Sequence, residues 1–558
     1  MRAASVLRAV VAAVLSLPAV ARGQLLGGVE HQVNAFTQYD QIWPDVAAAA
    51  GGNFVIAWLD RGQSNYYDIV ARRVTATGVP AGAEFLVNTS RPDNNSQVRV
   101  AADGAGTVGI AWPRFDFFQE DVVVRFFDAM DTPLGAELPV SDYVGDYQSH
   151  ASIATAAGGF IVVWTSDGQD GDLTGIFGRR YDAAGVVQGP EFQVNTYTTG
   201  SQYRPDVAGD AGGNFLVVWR GTGASNGGVY AQRYDNSGTP QGGEMLVDTV
   251  SGFGLVAVAA TPGGFVVGWS TPSGVFLRLY DTAGTPLGPT IPAPVGTGIQ
   301  DIAVDATGTM FFTGSDFSSG VRGRAFDSTG TALDPGFVVA TYKHGHQGYP
   351  HVAAAGDHFL VTWYSSPDDS GRGQDGSEAG VFARHFAPNV GITAQSVLIR
   401  DNPDGTRRKI TFRSRDPILS VTAGTGVNPA VNGAFLHVYG NGGSGDSACL
   451  PLPASNWAVT GALAYEYRDV DFVHGPCWLV RLAEGKFLRA NCKATAQPIP
   501  YTLDEVAQGS VGVDLVSGPN RYCGVLGGDI MRDTQGSQFR ARNAPAPAAC
   551  PVPPATCP

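Results

Sequence analysis

Cysteine is absent from the first 448 residues of this 558-residue chain, and all six cysteines (Cys449, Cys477, Cys492, Cys523, Cys550 and Cys557) fall in the last fifth. Lysine is almost as scarce: Lys343 is the only one before residue 409. Charged residues make up only 15% of the chain and the net charge is −14. That balance excludes nucleic acid and anionic membrane surfaces as partners, because both reward clusters of Lys and Arg. Long apolar runs are missing apart from Ala9–Val20, which follows Arg2 and Arg8 and precedes the small-residue stretch Ala19-Val20-Ala21. It is too short to span a bilayer and reads as a secretory signal peptide over residues 1–21. The expected location is therefore secreted, periplasmic or cell-surface. Helical periodicity is nearly absent, Leu503–Val506 being the one short candidate. No H-E-x-x-H, Walker loop or C-x-x-C pair is present. Gly223–Gly227 matches G-x-S-x-G but lies between two expected strands, not at the strand-to-helix turn a nucleophile elbow needs.

What the chain has in abundance is glycine, 74 residues of it, and a repeat. Trp58, Trp112, Trp164, Trp219, Trp269 and Trp363 each close an apolar run, and a degenerate copy ends at Gly314, giving seven units about 45–55 residues apart. That period belongs to propellers and solenoids. Phe160, Val162 and Trp164 share one face of a strand, while Ile161 and Val163 make the other face apolar too, so this strand is buried on both sides. Each unit reads as four short antiparallel strands. In the first these are Asp45–Ala49, Asn53–Asp60, Asp68–Thr75 and Glu84–Thr89, separated by Gly-rich turns. The fold expected is all-β: a seven-bladed β-propeller over residues 24–391.

The fourth strand carries the signature E-F-x-V-N-T, seen at Glu84–Thr89 and Glu191–Thr196 and more loosely at Glu137–Asp142 and Glu244–Thr249. Diverged copies occupy Thr290–Val295 and Gly336–Thr341. The seventh copy is Glu30–Ala35, ahead of the first unit. The N-terminal strand is thus expected to complete the seventh blade and close the ring.

Beyond Ile392 the repeat stops. Strand-like runs at Ser396–Asn402, Lys409–Ser414, Ala434–Gly440 and Ser510–Leu515 predict a smaller, sandwich-like β-rich domain over residues 392–543. A Pro/Ala-rich tail, 544–558, holds Cys550 and Cys557. Six cysteines in an exported domain imply disulfides with 15 formal pairings. The hairpin pattern between Cys477 and Cys492 favours that pair, and Cys523 with Cys550 is the second expectation.

The repeats resemble a class of secreted bacterial repeats of the form GGFVVVW…GVFGQRYDAAG…GxEFQVNT. The resemblance is carried here by Gly158–Thr196, Gly212–Thr249 and Gly345–Phe386 and covers about two-thirds of the chain. The C-terminal stretch looks like a Cys-paired module found behind such repeats. No general activity comes with the class.

Arg72, Arg125, Arg179, Arg278, Arg324 and Arg384 recur at one third-strand position, with Gln232 in their place once. They read as packing residues paired with Glu84, Glu137, Glu191 and Glu244 of the fourth strand. The Asp-x-x-Gly turns read as structural for the same reason. Asp167, Asp170 and Asp172 lie within six residues and form a candidate Ca²⁺ loop, with Asp368, Asp369 and Asp375 as a looser second; no cofactor is otherwise expected. Five histidines (His344, His346, His351, His358 and His385) crowd the seventh unit, and His31 lies on its closing strand. His344-x-His346 resembles a metal half-site, and most of these histidines read as substitutes for packing residues.

The connections joining strands two and three, and those joining successive units, vary and are rich in aromatics. In a meander blade both emerge on one rim, and scaffolded loops are where binding residues concentrate. Candidate ligand-binding residues are Tyr66, Tyr67, Phe117, Tyr143, Tyr147 and Tyr197, whereas Tyr203 and Tyr349, beside Pro205 and Pro350, serve equally well as packing residues. The expected function is a secreted, monomeric, non-enzymatic binding protein whose partner is a glycan or an extracellular protein. The alternatives are an extracellular polysaccharide hydrolase or lyase, using carboxylates such as Asp116, Glu120 and Asp121, and a structural cell-surface repeat protein.

Overall fold

The computed structural model describes residues 25–547, except 63–66, 91, 93–96, 117–118, 157, 223–226, 250–253, 317–319, 334–335, 343, 368–372, 377, 388, 402–406, 417–418, 420–428, 442–445, 462–463, 484, 496, 504–507, 518–519 and 536. The signal-peptide segment, Tyr66, Phe117, Asp368, Asp369, Cys550, Cys557 and most of the short helix candidate lie outside the described residues.

Seven four-stranded antiparallel sheets follow one another along the repeat, in a β-propeller-like arrangement. Unit one consists of Gln41–Ala48, Phe54–Asp60, Asp68–Val74 and Phe85–Leu86. Unit seven consists of Gln347–Ala355, His358–Ser365 and Gly380–Ala387, and its fourth strand is Leu26–Gln32 from the other end of the chain. There His31 pairs with Ala383 and Gln32 with Phe382. The first strands of successive units touch in order, and that of unit seven touches that of unit one. Each second strand is sandwiched between neighbouring sheets. Phe54–Asp60 is buried throughout, and the six repeat tryptophans are at most 1% exposed. Gly314 replaces the seventh because its strand runs too close to the preceding chain: a Cβ there would lie 2.2 Å from the Gly298 carbonyl oxygen.

The fourth-strand signature is a set of bonds between units. The valine is fully buried at Val33 and Val87. The asparagine caps the third strand of its own unit: Asn88 Oδ1 accepts Ile69 N–H at 2.6 Å, Asn195 Oδ1 accepts Ile176 N–H at 2.7 Å, and Asn34 Oδ1 accepts Val381 N–H at 2.9 Å. The glutamate accepts the N–H that follows this asparagine position in the preceding unit, as in Glu244 with Thr196 and Glu191 with Asp142, both at 2.9 Å. Glu84 does so with Ala35 and Glu30 with Thr341, which ties the N-terminal segment to units one and six.

The expected Arg–Glu partnership is corrected by the same seam. Arg72, Arg125, Arg278 and Arg384 donate from Nη1 to the carbonyls of Val33, Val87, Val247 and Val339, each in the preceding unit's fourth strand, at 2.7–2.9 Å. Among the described residues, only Arg179 has a fourth-strand glutamate within ion-pair distance, Glu191 at 3.7 Å, and its nearer partner is Asp142. The packing role stands; the partner is a backbone oxygen. The Asp-x-x-Gly turns have the expected chemistry: Asp182 Oδ1 accepts the N–H groups of Ala184 and Val186 at 2.9 Å, and Gly185 takes φ +79°.

Past residue 388 the chain builds a five-stranded and an eight-stranded sheet. Lys409–Ser414 and Ala434–Gly440 are strands with the expected bounds. Val397 and Phe412 of one sheet share a buried cluster with Leu436 and Val513 of the other. Cys477 and Cys492 face each other across the expected hairpin and are disulfide-bonded. Cys449 and Cys523 each take part in a further disulfide, whose other half lies outside the described residues. No helix among the described residues is long and apolar enough to cross a membrane.

Candidate functional site at the ring axis

In most units the first strand carries one extra residue just before its midpoint. The register slips between Ile42 and Asp45, Ser149 and Ser152, Tyr203 and Asp206, and Gly348 and His351. At each of these four slips one residue takes a left-handed conformation, Trp43 (φ +51°), His150 (+49°), Arg204 (+53°) and Tyr349 (+49°), whereas unit six slips between Ile299 and Asp301 without one. Positive φ is rare for such residues, and a bulge of this kind re-aims the side chains around it. The bulge also starts the first strand four residues earlier than the sequence suggested.

Just past the bulge, one residue per unit pairs with the residue preceding the repeat tryptophan. In chain order these are Asp45, Arg99, Ser152, Asp206, Ala257, Asp301 and His351, opposite Ala57, Ala111, Val163, Val218, Gly268, Thr313 and Thr362. Equal register on seven touching first strands makes this a single ring. Its carboxylates bind the next unit: Asp45 Oδ2 accepts Val100 N–H at 2.8 Å, Asp206 Oδ2 accepts Val258 N–H at 2.8 Å, and Asp301 Oδ2 accepts Val352 N–H at 2.9 Å. Ser152 Oγ donates to Asp206 Oδ1 at 2.7 Å.

His351 Nδ1 lies 3.2 Å from both Asp45 Oδ1 and Asp301 Oδ2. Arg99 Nη1 comes within 2.9 Å of the same nitrogen. Arg99 belongs to unit two and His351 to unit seven, so the guanidinium reaches past unit one into the axis. Burial, then the charge of Arg99, holds the His351 imidazole down to about 4. Burial raises the carboxyls of Asp45 and Asp206 above their ordinary range and pushes Asp301 up to about 6. Asp45, Asp301 and His351 each place a ligand atom within 4.8 Å of the others, so they are a group able to hold a cation. The Arg99 guanidinium already supplies positive charge there.

The strand ends on the bulge side face the variable loops. Arg61 N–H donates to Asp40 O, Asp167 N–H to Tyr147 O, Thr222 N–H to Ser201 O and Ser366 N–H to His346 O, all at 2.9 Å. Each bond joins a strand two–three connection to the connection entering the same unit, so both kinds of loop share one rim. At its centre, Trp43 and Tyr349 have ring centroids 5.8 Å apart, and Tyr349 and Tyr364 lie 5.9 Å apart. Tyr364 Oη is 3.2 Å from His346 Nδ1.

The residues singled out from sequence lie in separate loops of this rim. Tyr67 is half-buried against the core shared by units one and two, with its hydroxyl 3.4 Å from Asp40 Oδ2. Tyr143 and Tyr197 are half-buried, and Tyr147 is 53% exposed, three residues before His150. The acidic loop is spread over the seam to unit four: Asp170 Oδ2 accepts Asn195 Nδ2–H at 2.8 Å and Asp172 Oδ2 accepts Gly200 N–H at 2.9 Å. Asp121 Oδ2 accepts Arg114 Nη2–H at 3.1 Å. His385 is buried on the third strand of unit seven, as expected of a packing residue. Of the seven ring residues only His351 was singled out from sequence, although Trp43-Pro44-Asp45, Arg204-Pro205-Asp206 and Tyr349-Pro350-His351 repeat one pattern at one place.

No family model matches the chain, and no curated protein matches it. Among solved structures, a Dyadobacter fermentans protein of unknown function is similar at 13% identity and TM-score 0.40, over 65% of this chain and 99% of that one. A Hadza microbial sialidase is similar at 10% identity and TM-score 0.39, over 62% and 65%. A Penicillium chrysogenum alpha-L-arabinanase complexed with arabinobiose is similar at 11% identity and TM-score 0.38, over 64% and 98%. The architecture of this chain is carried by its own strand pairing.

Proposed function

We propose that this chain is an exported, non-enzymatic binding protein that captures a glycan at the axial mouth of its loop-bearing rim. The seven sheets are the blades of a propeller closed by the N-terminal strand, followed by a disulfide-linked second domain from residue 392. The disulfides fit an oxidising compartment. The observation that carries the reading is the aromatic group Trp43, Tyr349 and Tyr364, gathered where the first strands meet. Aromatic faces with polar edges suit sugar rings, and a rigid scaffold holds these without further ordering cost. The ring carboxylates serve the frame in this reading, since each bonds a neighbouring unit's backbone.

A glycan array on the purified protein tests it, with Tyr349→Asn as the comparison because asparagine accepts the left-handed backbone at that position. Capture should fall at least tenfold in the variant while the melting temperature stays within about 2 °C. Undiminished capture would move the ligand away from the axis. Shortened products from a captured glycan would replace the binding reading with a hydrolase or lyase.

A further inference from the structure

The axial mouth has two unlike sides. On the unit seven side, the bulge residue and the residue after the repeat tryptophan are Tyr349 and Tyr364. In unit four, three units further round, the same two positions are Arg204 and Arg220. Arg204 is exposed, in a left-handed backbone conformation, and has no ion-pair partner among the described residues. The nearest ring carboxylate in sequence, Asp206, is held instead by Ser152 and by Val258 N–H.

Arg220 is 1% exposed. Its Nη2 donates to the Ser270 carbonyl, and its Nε is buried with no acceptor. A buried guanidinium without a carboxylate is unusual, because a buried charge is normally paired. Asp248, the nearest acid acting on it, takes the Trp269 indole N–H at 2.9 Å. His150 completes this side, with Nδ1 2.9 Å from Ser149 Oγ. Arg204 and Arg220 therefore place two guanidinium groups on this side of the mouth, neither in an ion pair among the described residues.

We propose that the axial mouth takes a carboxylated saccharide, the sugar ring packing on Tyr349 and Tyr364 and the carboxylate meeting the Arg204 guanidinium, with Arg220 and His150 behind it. A planar guanidinium recognises a carboxylate through paired N–H donors, which a neutral or esterified sugar cannot accept as an anion. This rests on the glycan reading above and adds the chemical class of the ligand.

The test is titration of the full chain with paired saccharides: galacturonate, glucuronate, mannuronate and sialic acid oligomers, each against its methyl ester. For at least one pair the free acid should bind ten times or more tightly than the ester, and the difference should shrink as salt rises from 50 to 500 mM. Arg204→Asn should erase the difference and Arg204→Lys should restore part of it, with the melting temperature as the check on folding. Acid and ester bound alike in every pair would overturn the carboxylate assignment and leave glycan capture standing. A preference for the acid that survives Arg204→Asn would overturn the placement. An array with no captured glycan at all would overturn both readings.

Discussion

Asn34→Ala is the sharpest test of whether the N-terminal strand closes one cooperative ring. Asn34 is 4% exposed. Its Oδ1 accepts Val381 N–H at 2.9 Å from 347 residues away, and its Nδ2 donates to Phe36 O at 2.8 Å and to Gln41 Oε1 at 3.0 Å. Asn195 makes the matching bonds inside the continuous chain, to Ile176 N–H at 2.7 Å, Tyr197 O at 3.1 Å and Gln202 Oε1 at 3.0 Å, adds one to Asp170 Oδ2 at 2.8 Å, and is 2% exposed. Either substitution to Ala leaves a buried N–H without an acceptor, which costs about 1–3 kcal/mol, and removes the side-chain amide's own donor bonds, two at Asn34, worth about 0.5 kcal/mol each. The expected loss is about 2–4 kcal/mol in both. With ~2.1 cal/mol/K per residue over roughly 360 residues, that lowers the melting temperature by about 3–5 °C. Urea unfolding with unchanged slope, followed by calorimetry, gives the comparison. Equal losses mean that the long-range seam is as much part of the global transition as a local one. If Asn34→Ala leaves the main transition in place and only exposes the N-terminus to protease, the strand frays independently and the closure argument fails.

Three further outcomes are expected. Asp301 holds its proton to about pH 6 in the fold against 3.8 in the open chain, so its contribution is full below pH 3.8 and lost as pH rises through 6. The stability deficit of Asp301→Asn should therefore shrink by about 2 kcal/mol between pH 4 and 7, whereas parallel pH curves in urea titrations would refute the assignment. His351, held near 4 against 6.5, acts in the opposite sense: its contribution is full above pH 6.5 and lost as pH falls through 4. Removing the Cys477–Cys492 disulfide, which spans 15 residues, should cost about 3 kcal/mol in the C-terminal transition alone, and a matching shift in the repeat region would contradict two separate cores. Tyr67→Ala should cost about 2 kcal/mol because the ring packs on a core cluster, and an unchanged melt would return Tyr67 to the free rim.

The fold was legible because the repeat spells out its own seam. In E-F-x-V-N-T the glutamate, the valine and the asparagine each make a bond or fill a site between strands, so a displaced copy at Glu30–Ala35 already pointed to the strand it joins. The arginine partner was not legible for a related reason. Sequence shows that Arg and Glu each recur at one position in most units, but not which edge each one faces. Both reach back across the same seam, the arginine to a carbonyl and the glutamate to an N–H, without needing each other. Gly314 shows a different limit: the loss of the tryptophan there comes from close backbone approach, which the local sequence does not state.

The axial ring escaped notice because its place is constant while its chemistry is not. Its members stand 12 or 13 residues before the tryptophan position, the difference being one residue in the intervening stretch, and their types run Asp, Arg, Ser, Asp, Ala, Asp, His. A search for recurring residue types passes over such a position, whereas the recurring Arg and Glu draw attention and turn out to hold the frame. The same logic separates the two sides of the mouth. Of the residues there only Tyr349 was singled out from sequence; register alone shows that Tyr349 and Tyr364 in unit seven stand at the positions of Arg204 and Arg220 in unit four. In a repeat of this kind the frame demands sameness in every unit, so a position that is fixed in place and free in type is where a ligand's chemistry can be written.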